Sequence, residues 1–355
     1  MVTLVVLGVV LLPFLLVGGG MALFWKRRRR AVLRWSGLGY LATIAFLLLG
    51  VAPYLAAWAV VHAGTRPRDR ELRGSPADSG LVYEDVVFEA RDSLRLSGWF
   101  VPPTRRNAIL VCTHGLFRNR VEMLPRAVAA CRAGYGALLY DSRSHGASDK
   151  GIVSLGYYER NDVLGAVQYI QRRYQDVAER PKIVLMGISM GAVATLEAAA
   201  ESRVYSALVI DSPFASLRET VADHSWLFLK LPRFPFPSLF LFWFEHFTGV
   251  KPDRLNARDA LARAQPVPLL ILASEGDARI GVQVAHELYA AASSPVKKLK
   301  VFGRDVPHGA AARLHPEEYA EALVGFLDAT VGEPLPQPQV GEWISTPSAA
   351  ADSPR

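Results

Sequence analysis

The chain opens on two apolar runs. Residues 1–25 carry no charged side chain, and neither do residues 36–61. A helix needs about 20 apolar residues to cross a hydrocarbon core of roughly 30 Å, so each run is long enough to span a bilayer. Pro13, Gly18, Gly19, Gly20 and Pro53 would weaken a soluble helix but are tolerated within a membrane. Trp25, Trp35, Tyr40, Tyr54 and Trp58 fall near the run ends, where amphipathic rings favour the interface. A cleavable signal sequence would begin with cations, whereas Lys26 to Arg30 and Arg34 follow the first run. Two transmembrane helices are therefore expected within residues 1–62. The connector between them holds six cations, against four mixed with two acids in residues 66–73. That asymmetry places the connector in the cytoplasm and the bulk of the chain on the extracytoplasmic side of the cell membrane.

Residues 63–80, rich in Pro, Gly, Arg and Ser, read as a linker. Beyond it, short apolar strands alternate with helical periodicity. Strands are predicted at 82–90 and 94–101, as a hairpin around Arg91, Asp92 and Ser93, and then at 108–113, 137–141, 182–186, 207–211, 269–273 and 299–302. Helical stretches are predicted at 126–132, 159–174, 190–200, 282–292 and 316–329. The later strands are near-continuous apolar runs, which belong to strands covered on both faces. The fold class is therefore α/β, a mostly parallel sheet between layers of helices, spanning 81–331. Residues 332–355 lose all periodicity and read as a disordered tail. One segment breaks the rhythm: residues 224–247 hold nine aromatic side chains and three prolines, inside a candidate cap at 213–263. Such an insertion covers a pocket, touches the membrane, or packs on the sheet edge.

Composition matters mainly through where the charge lies. The chain is 51% hydrophobic and 21% charged, which excludes a disordered polymer. Of the net charge of +7, the six connector cations leave +1; Arg66, Arg68, Arg70 and Arg73 against Asp69 and Glu71 take a further +2, leaving −1 elsewhere. No basic face for nucleic acid follows from that distribution. Cys112, in a strand, and Cys131, in a helix, form neither a disulfide framework nor a CxxC motif and read as small buried apolar residues. There is no HExxH, no P-loop and no GxGxxG after a strand, so neither a metal nor an organic cofactor is expected.

Candidate chemistry gathers at one turn. Gly187, Ile188, Ser189, Met190 and Gly191 form GxSxG directly after a predicted strand and before a predicted helix. There the chain must turn sharply, lift the serine hydroxyl above the sheet and leave no room for flanking side chains. The helix that follows aims its dipole and the Met190 N–H at any developing oxyanion. A serine hydroxyl needs a base, itself oriented by an acid. Asp277 and His308 each follow a predicted strand, at the sheet edge where ligands sit in open α/β folds, and the order Ser, Asp, His suits this arrangement. His315 is a rival base, although it reads better as a helix start; Glu275, Asp305 and Asp211 are rival acids. After strand 108–113, His114 and Gly115 lead to Leu116, which offers a second oxyanion N–H. His114 and His145 are expected to shape their turns. Asp141 and Arg143 are expected to form a buried ion pair, and Tyr157, Tyr158, Glu159 and Asp162 to pack and cap a helix.

The stretches HGLFRNR (114–120), YDSRSHGASDKG (140–151), LGYYERNDV (155–163), GISMG (187–191), DSPFASL (211–217), SEGDARI (274–280) and VPHG (306–309) together resemble the α/β-hydrolase superfamily over roughly residues 80–330. More narrowly, they resemble membrane-anchored serine hydrolases of the BEM46 and prolyl-oligopeptidase-like esterase type. The chain departs from that pattern at Ser144, where a glycine is usual, at Ala273 and Ser274, where His-Gly is common, and at Gly281, where a proline is usual. The resemblance implies Ser189 as nucleophile, His308 as general base and acid, Asp277 as its orienter, and Leu116 and Met190 as oxyanion donors. It implies cleavage of a carboxylic ester or thioester, from a small molecule or a lipid, through an acyl-enzyme. A peptide-bond substrate on the same triad, or a tethered binding module that kept the fold without activity, are the alternatives.

Overall fold

The computed structural model describes residues 29–335, so the first apolar run and most of the expected tail lie outside the described residues. The second apolar run is helical. α1 (Arg29–Phe46) passes through a π-helical turn (Leu47–Val51) into α2 (Ala52–Val61). The turn has a local cause. Pro53 has no N–H to donate, and the preceding Ala52 N–H reaches five residues back to the Leu47 carbonyl. Trp35–Val61 is long and apolar enough to cross a membrane, and only 17% of its most apolar window is buried. Among the described residues it is the one helix of that kind.

The sheet is built in chain order from β1 (Glu84–Glu89), β2 (Arg95–Val101), β3 (Ala108–Thr113), α3 (Leu124–Arg132), β4 (Gly136–Tyr140), α4 (Glu159–Arg173), β5 (Lys182–Ile188), α5 (Met190–Glu201) and β6 (Ala207–Asp211). After β6 come α6 (Leu217–Leu229), α7 (Phe236–Thr248), α8 (Ala257–Arg263), β7 (Leu269–Ser274), α9 (Val282–Ala291), β8 (Lys297–Phe302), α10 (Ala311–Leu314) and α11 (Pro316–Val331). The eight strands lie in the order β1-β2-β4-β3-β5-β6-β7-β8. The expected hairpin pairs β1 with β2, β2 is antiparallel to β4, and every later pairing is parallel.

The continuous apolar runs have the cause expected of them, since every residue of β3, β4, β6 and β7 is buried. Val163, Val167 and Ile170 of α4, Leu196 of α5 and Leu288 of α9 cover one face. Ala127 and Cys131 of α3 with Leu323, Phe326 and Leu327 of α11 cover the other. A third cluster brings Met190 and Val193 together with Phe214, Leu217, Phe240 and Phe244.

The aromatic segment resolves into two helices, with Pro232 and Pro235 in the turn between α6 and α7. Phe240, Leu241 and Phe244 recur at helical spacing and form the buried stripe of α7. Ala57 and Val61 of α2 are fully buried in the same cluster. The last turns of the apolar helix therefore belong to the packing of the sheet domain. A cut after residue 61 would remove part of that packing.

Residues 63–80 are tied down where a linker was expected. The Thr65 hydroxyl donates to the Arg118 carbonyl and accepts from the Gly146 N–H, the Arg66 N–H donates to the Phe117 carbonyl, and Asp69 pairs with Arg118 at 3.0 Å. Ser75 and Asp78 close a capping box. The opening of the expected tail is also ordered. The Asn107 N–H donates to the Glu333 carbonyl, and the Leu335 N–H to the Arg105 carbonyl.

Candidate active site

β5 ends in a turn that only its own sequence permits. Ser189 sits at φ 54° and ψ −119°, a conformation few side-chain-bearing residues adopt. A Cβ on Gly187 would lie 2.2 Å from the Gly191 carbonyl oxygen, and one on Gly191 would lie 2.3 Å from that of Thr113. Both glycines are therefore required by close backbone approach. The Ser189 N–H donates to the Asp211 carbonyl at 2.9 Å, which fastens the turn to β6, while its own carbonyl accepts from Ala192 as α5 begins.

Asp277 and His308 come from the loops after β7 and β8, and the structure joins them. His308 Nδ1 lies 2.6 Å from Asp277 Oδ2, and Oδ1 of the same carboxylate accepts the N–H groups of Arg279 and Ile280 at 2.9 and 3.0 Å. With a carboxylate as acceptor, Nδ1 carries the hydrogen and Nε2 keeps its lone pair. Gly309, at φ 68°, packs so tightly on Ile188 that a Cβ would lie 2.7 Å from its side chain. That contact brings the His308 loop to the strand end bearing Ser189. The rival residues are engaged elsewhere. His315 pairs with Asp305 at 2.8 Å, Glu275 with Arg304 at 3.1 Å and Asp211 with Arg126 at 2.8 Å.

The loop after β3 lies over the serine. A Cβ on Gly115 would be 3.5 Å from Ser189 Cβ. Two imidazoles shape this loop from below. His114 Nε2 accepts the Ser142 N–H at 3.0 Å, and His145 Nε2 accepts the Phe117 N–H at 3.1 Å. Each ring directs Nδ1 at a carbonyl, Gly115 for His114 and Arg143 for His145. Phe117 takes φ 63°, and the Gly115 N–H donates to Glu122 at 2.7 Å. Among the described residues, the N–H groups of Leu116 and Met190 donate to no protein acceptor.

One expected contact is not made. Asp141 and Arg143 do not pair with each other. Asp141 pairs with Arg120 at 2.8 Å, whereas Arg143 reaches Asp162 at 2.7 Å and Asp92 at 2.9 Å. Asp141 also accepts from the Arg120 and Ala147 N–H groups, and Asp162 from the Arg143 N–H, so the two side chains serve different neighbours. Glu159 accepts from the N–H groups of Ser154 and Gly156, which fixes the turn before α4; the helix start at Tyr158 has no side-chain cap, although capping was expected of that stretch.

Several residues of the site region carry no local motif. Arg126 donates to Asp211 and, at 3.0 Å, to the Gly309 carbonyl, and the Tyr319 hydroxyl also donates to Asp211. This buried group links α3, β6, α11 and the His308 loop. Burial and then the Asp211 charge push the Tyr319 phenol well above its usual range. His224 of α6 has a buried Nε2 without a hydrogen-bond partner. Burial, then the charge of Arg279, holds it below the usual histidine range.

A model of the alpha/beta hydrolase family matches residues 110–323. The chain belongs to that family. This hydrolase is 30% identical over 254 residues to Rv2307c of Mycobacterium tuberculosis, covering 69% of this chain and 79% of that one. It is 26% identical over 305 residues to YfhR of Salmonella typhi, with 81% and 94% covered. Among solved structures, a Pyrococcus furiosus esterase superimposes with a TM-score of 0.61 at 25% identity, over 73% of this chain and 95% of that one.

The imidazole scaffold gives the hydrolase an acid sensitivity. Burial, then the neighbouring His114, pushes His145 down to about 4 from 6.5. Between those values the unfolded chain binds a proton that the folded one refuses, so stability is lost as pH falls through that window. His145 alone accounts for about 3 kcal/mol at full development. The melting temperature should fall between pH 6.5 and 4, with a shallower slope in His145→Gln, whose amide oxygen accepts the Phe117 N–H without titrating. An identical slope in the variant would refute this assignment.

Proposed function

We propose that this protein is a membrane-anchored serine hydrolase that cleaves a carboxylic ester or thioester through an acyl-enzyme. The observation that carries the reading is the 2.6 Å contact of His308 Nδ1 with Asp277, in loops packed against the strained Ser189 turn. Ser189 Oγ attacks the acyl carbonyl and His308 Nε2 takes its proton. The oxyanion accepts the N–H groups of Leu116 and Met190. The carbonyl re-forms, the alcohol or thiol leaves with the proton from His308, and water then repeats the sequence to free the acid. Asp277 stays ionised and holds the imidazole in its working tautomer.

The likeness to the P. furiosus esterase and the apolar surroundings of Ser189, with Met190 and Val193 in one cluster with Phe240 and Phe244, favour an ester over a peptide. Trp35–Val61 supports the anchor, and the motif resemblance supports the narrower BEM46 and prolyl-oligopeptidase-like esterase type. The connector cations favour an extracytoplasmic sheet domain in the cell membrane.

The test uses the full chain in detergent with a fluorophosphonate probe, p-nitrophenyl esters of increasing acyl length and matched p-nitroanilides. The expected result is labelling together with a burst of nitrophenol before steady turnover. Folded protein that takes no label would favour a binding module. Anilides cleaved as fast as esters would favour a peptidase.

A further inference from the structure

The cap carries large apolar side chains on its outside. Trp226, Phe228, Leu229 and Phe234 are 58%, 59%, 58% and 74% exposed within a nine-residue stretch at the end of α6 and the turn beyond it. Soluble surfaces seldom present such a concentration without a partner.

Two edges of this patch identify what it faces. The first is the apolar helix. Tyr54 of α2 meets Trp243 of α7 edge-on at 5.0 Å, and Trp243 meets the exposed Phe242 at 5.2 Å, so the outer aromatics of the cap continue from the helix. The cations ending with Arg34 limit that helix on its far side. From Trp35 to the start of α2 it offers about 26 Å at 1.5 Å per residue. A hydrocarbon core of roughly 30 Å needs more, so the bilayer extends along the turns of α2 that pack on α7. The cap then lies at the depth of the lipid headgroups. The second edge is the candidate active site. Phe228 touches the His224 ring at 5.4 Å, and Arg279, two residues after Asp277, places its guanidinium 5.7 Å over the Phe228 ring. Lys230 lies 5.6 Å over Trp226, a cation beside an exposed ring as suits an anionic interface, while the exposed Arg233 is paired with Asp223 at 2.8 Å.

We infer that Trp226, Phe228, Leu229 and Phe234 insert into the headgroup–acyl boundary of a phospholipid bilayer, so that the site opens towards the membrane and takes its acyl ester from it. The inference rests on the anchored-hydrolase reading. It also names what the aromatic insertion does: it is the surface by which the site meets lipid.

The test places the full chain in vesicles of phosphatidylcholine and phosphatidylglycerol, some with brominated acyl chains. An environment-sensitive fluorophore is attached to Leu229→Cys, Phe234→Cys or, as a control on the far end of the sheet, Glu179→Cys; the native Cys112 and Cys131 are buried. Bromolipid should quench the probes at 229 and 234 at least about twofold and leave the one at 179 untouched. Probes at 229 and 234 that remain as unquenched as the control, in protein that alkaline carbonate cannot strip from the vesicles, would overturn the inference and leave the anchor standing. Protein that carbonate does strip would overturn the anchor and the inference together.

Activity supplies an independent arm. Trp226→Glu with Leu229→Glu should slow turnover of a long-chain ester held in the vesicle about tenfold. The same variant should keep the wild-type rate on a soluble short-chain ester. Equal rates of variant and wild type on both substrates would count against the docking surface. Failure of the wild type to label with fluorophosphonate would remove the hydrolase reading and with it the acyl-ester part of the inference, whereas quenching would still report the lipid contact, which needs no turnover.

Discussion

Ser189→Ala should lower ester turnover by about 10⁴- to 10⁶-fold and abolish fluorophosphonate labelling. The size of the effect comes from the coupling of three groups. In the proposed mechanism the hydroxyl supplies the bond-forming atom, His308 accepts its proton, and Asp277, held by the Arg279 and Ile280 N–H groups, keeps that imidazole in one tautomer. Groups that act as a unit fail as a unit, so adding His308→Ala to Ser189→Ala should cost little more. Alanine keeps the Cβ, so the φ 54° turn is no more strained than before and the melting temperature should stay within about a degree or two of the wild type. A folded Ser189→Ala protein that retains a tenth of the wild-type rate would end the serine mechanism.

The largest expected loss of stability lies behind the site. Asp211→Ala leaves the Arg126 guanidinium buried without its counter-charge and deprives Tyr319 of its acceptor. Breaking a buried pair on one side typically costs about 3–5 kcal/mol. For a domain of this size that corresponds to a fall in melting temperature of about 10 °C. Activity should fall beyond what unfolding explains, because Arg126 also holds the Gly309 carbonyl next to His308. Combining Arg126→Met with Asp211→Ala should recover part of the stability, since no lone charge then remains buried. Thermal melting of the single and the double variant in detergent checks both statements. A single-variant loss below about 1 kcal/mol would show that the pair contributes little, as exposed pairs do.

Most of the architecture is legible in the chain because its rules are local. Five apolar residues and a threonine at 108–113 read as a strand with no exposed face, and the structure buries each one. The glycines at 187 and 191 are visible as a motif, and their reason, the absence of space for a Cβ, is the same in the sequence argument and in the coordinates. Between His308 and His315 the sequence favours the first by its loop position after a strand, the second reading as a helix start. The structure separates them by partner: Asp277 for one, Asp305 for the other.

What the chain could not disclose depends on residues far apart in number. Residues 63–80 have the composition of a linker, yet Thr65 and Asp69 meet Arg118 and Gly146 because the β3 and β4 loops converge there. Asp141 and Arg143 read as a pair by proximity, whereas the fold places Arg120 beside one and Asp162 beside the other. Arg126 and His224 occupy ordinary helical positions without motifs, and only the packing of α3 and α6 carries them to the His308 loop. By itself, the sequence determined the apolar helix, the layered α/β order and the Ser-Asp-His succession, because periodicity, glycine sterics and strand ends act over a few residues. Tertiary structure alone decided which charges meet in the interior and that the last turns of the apolar helix pack on α7, because buried side chains pair with whatever the folded chain places beside them.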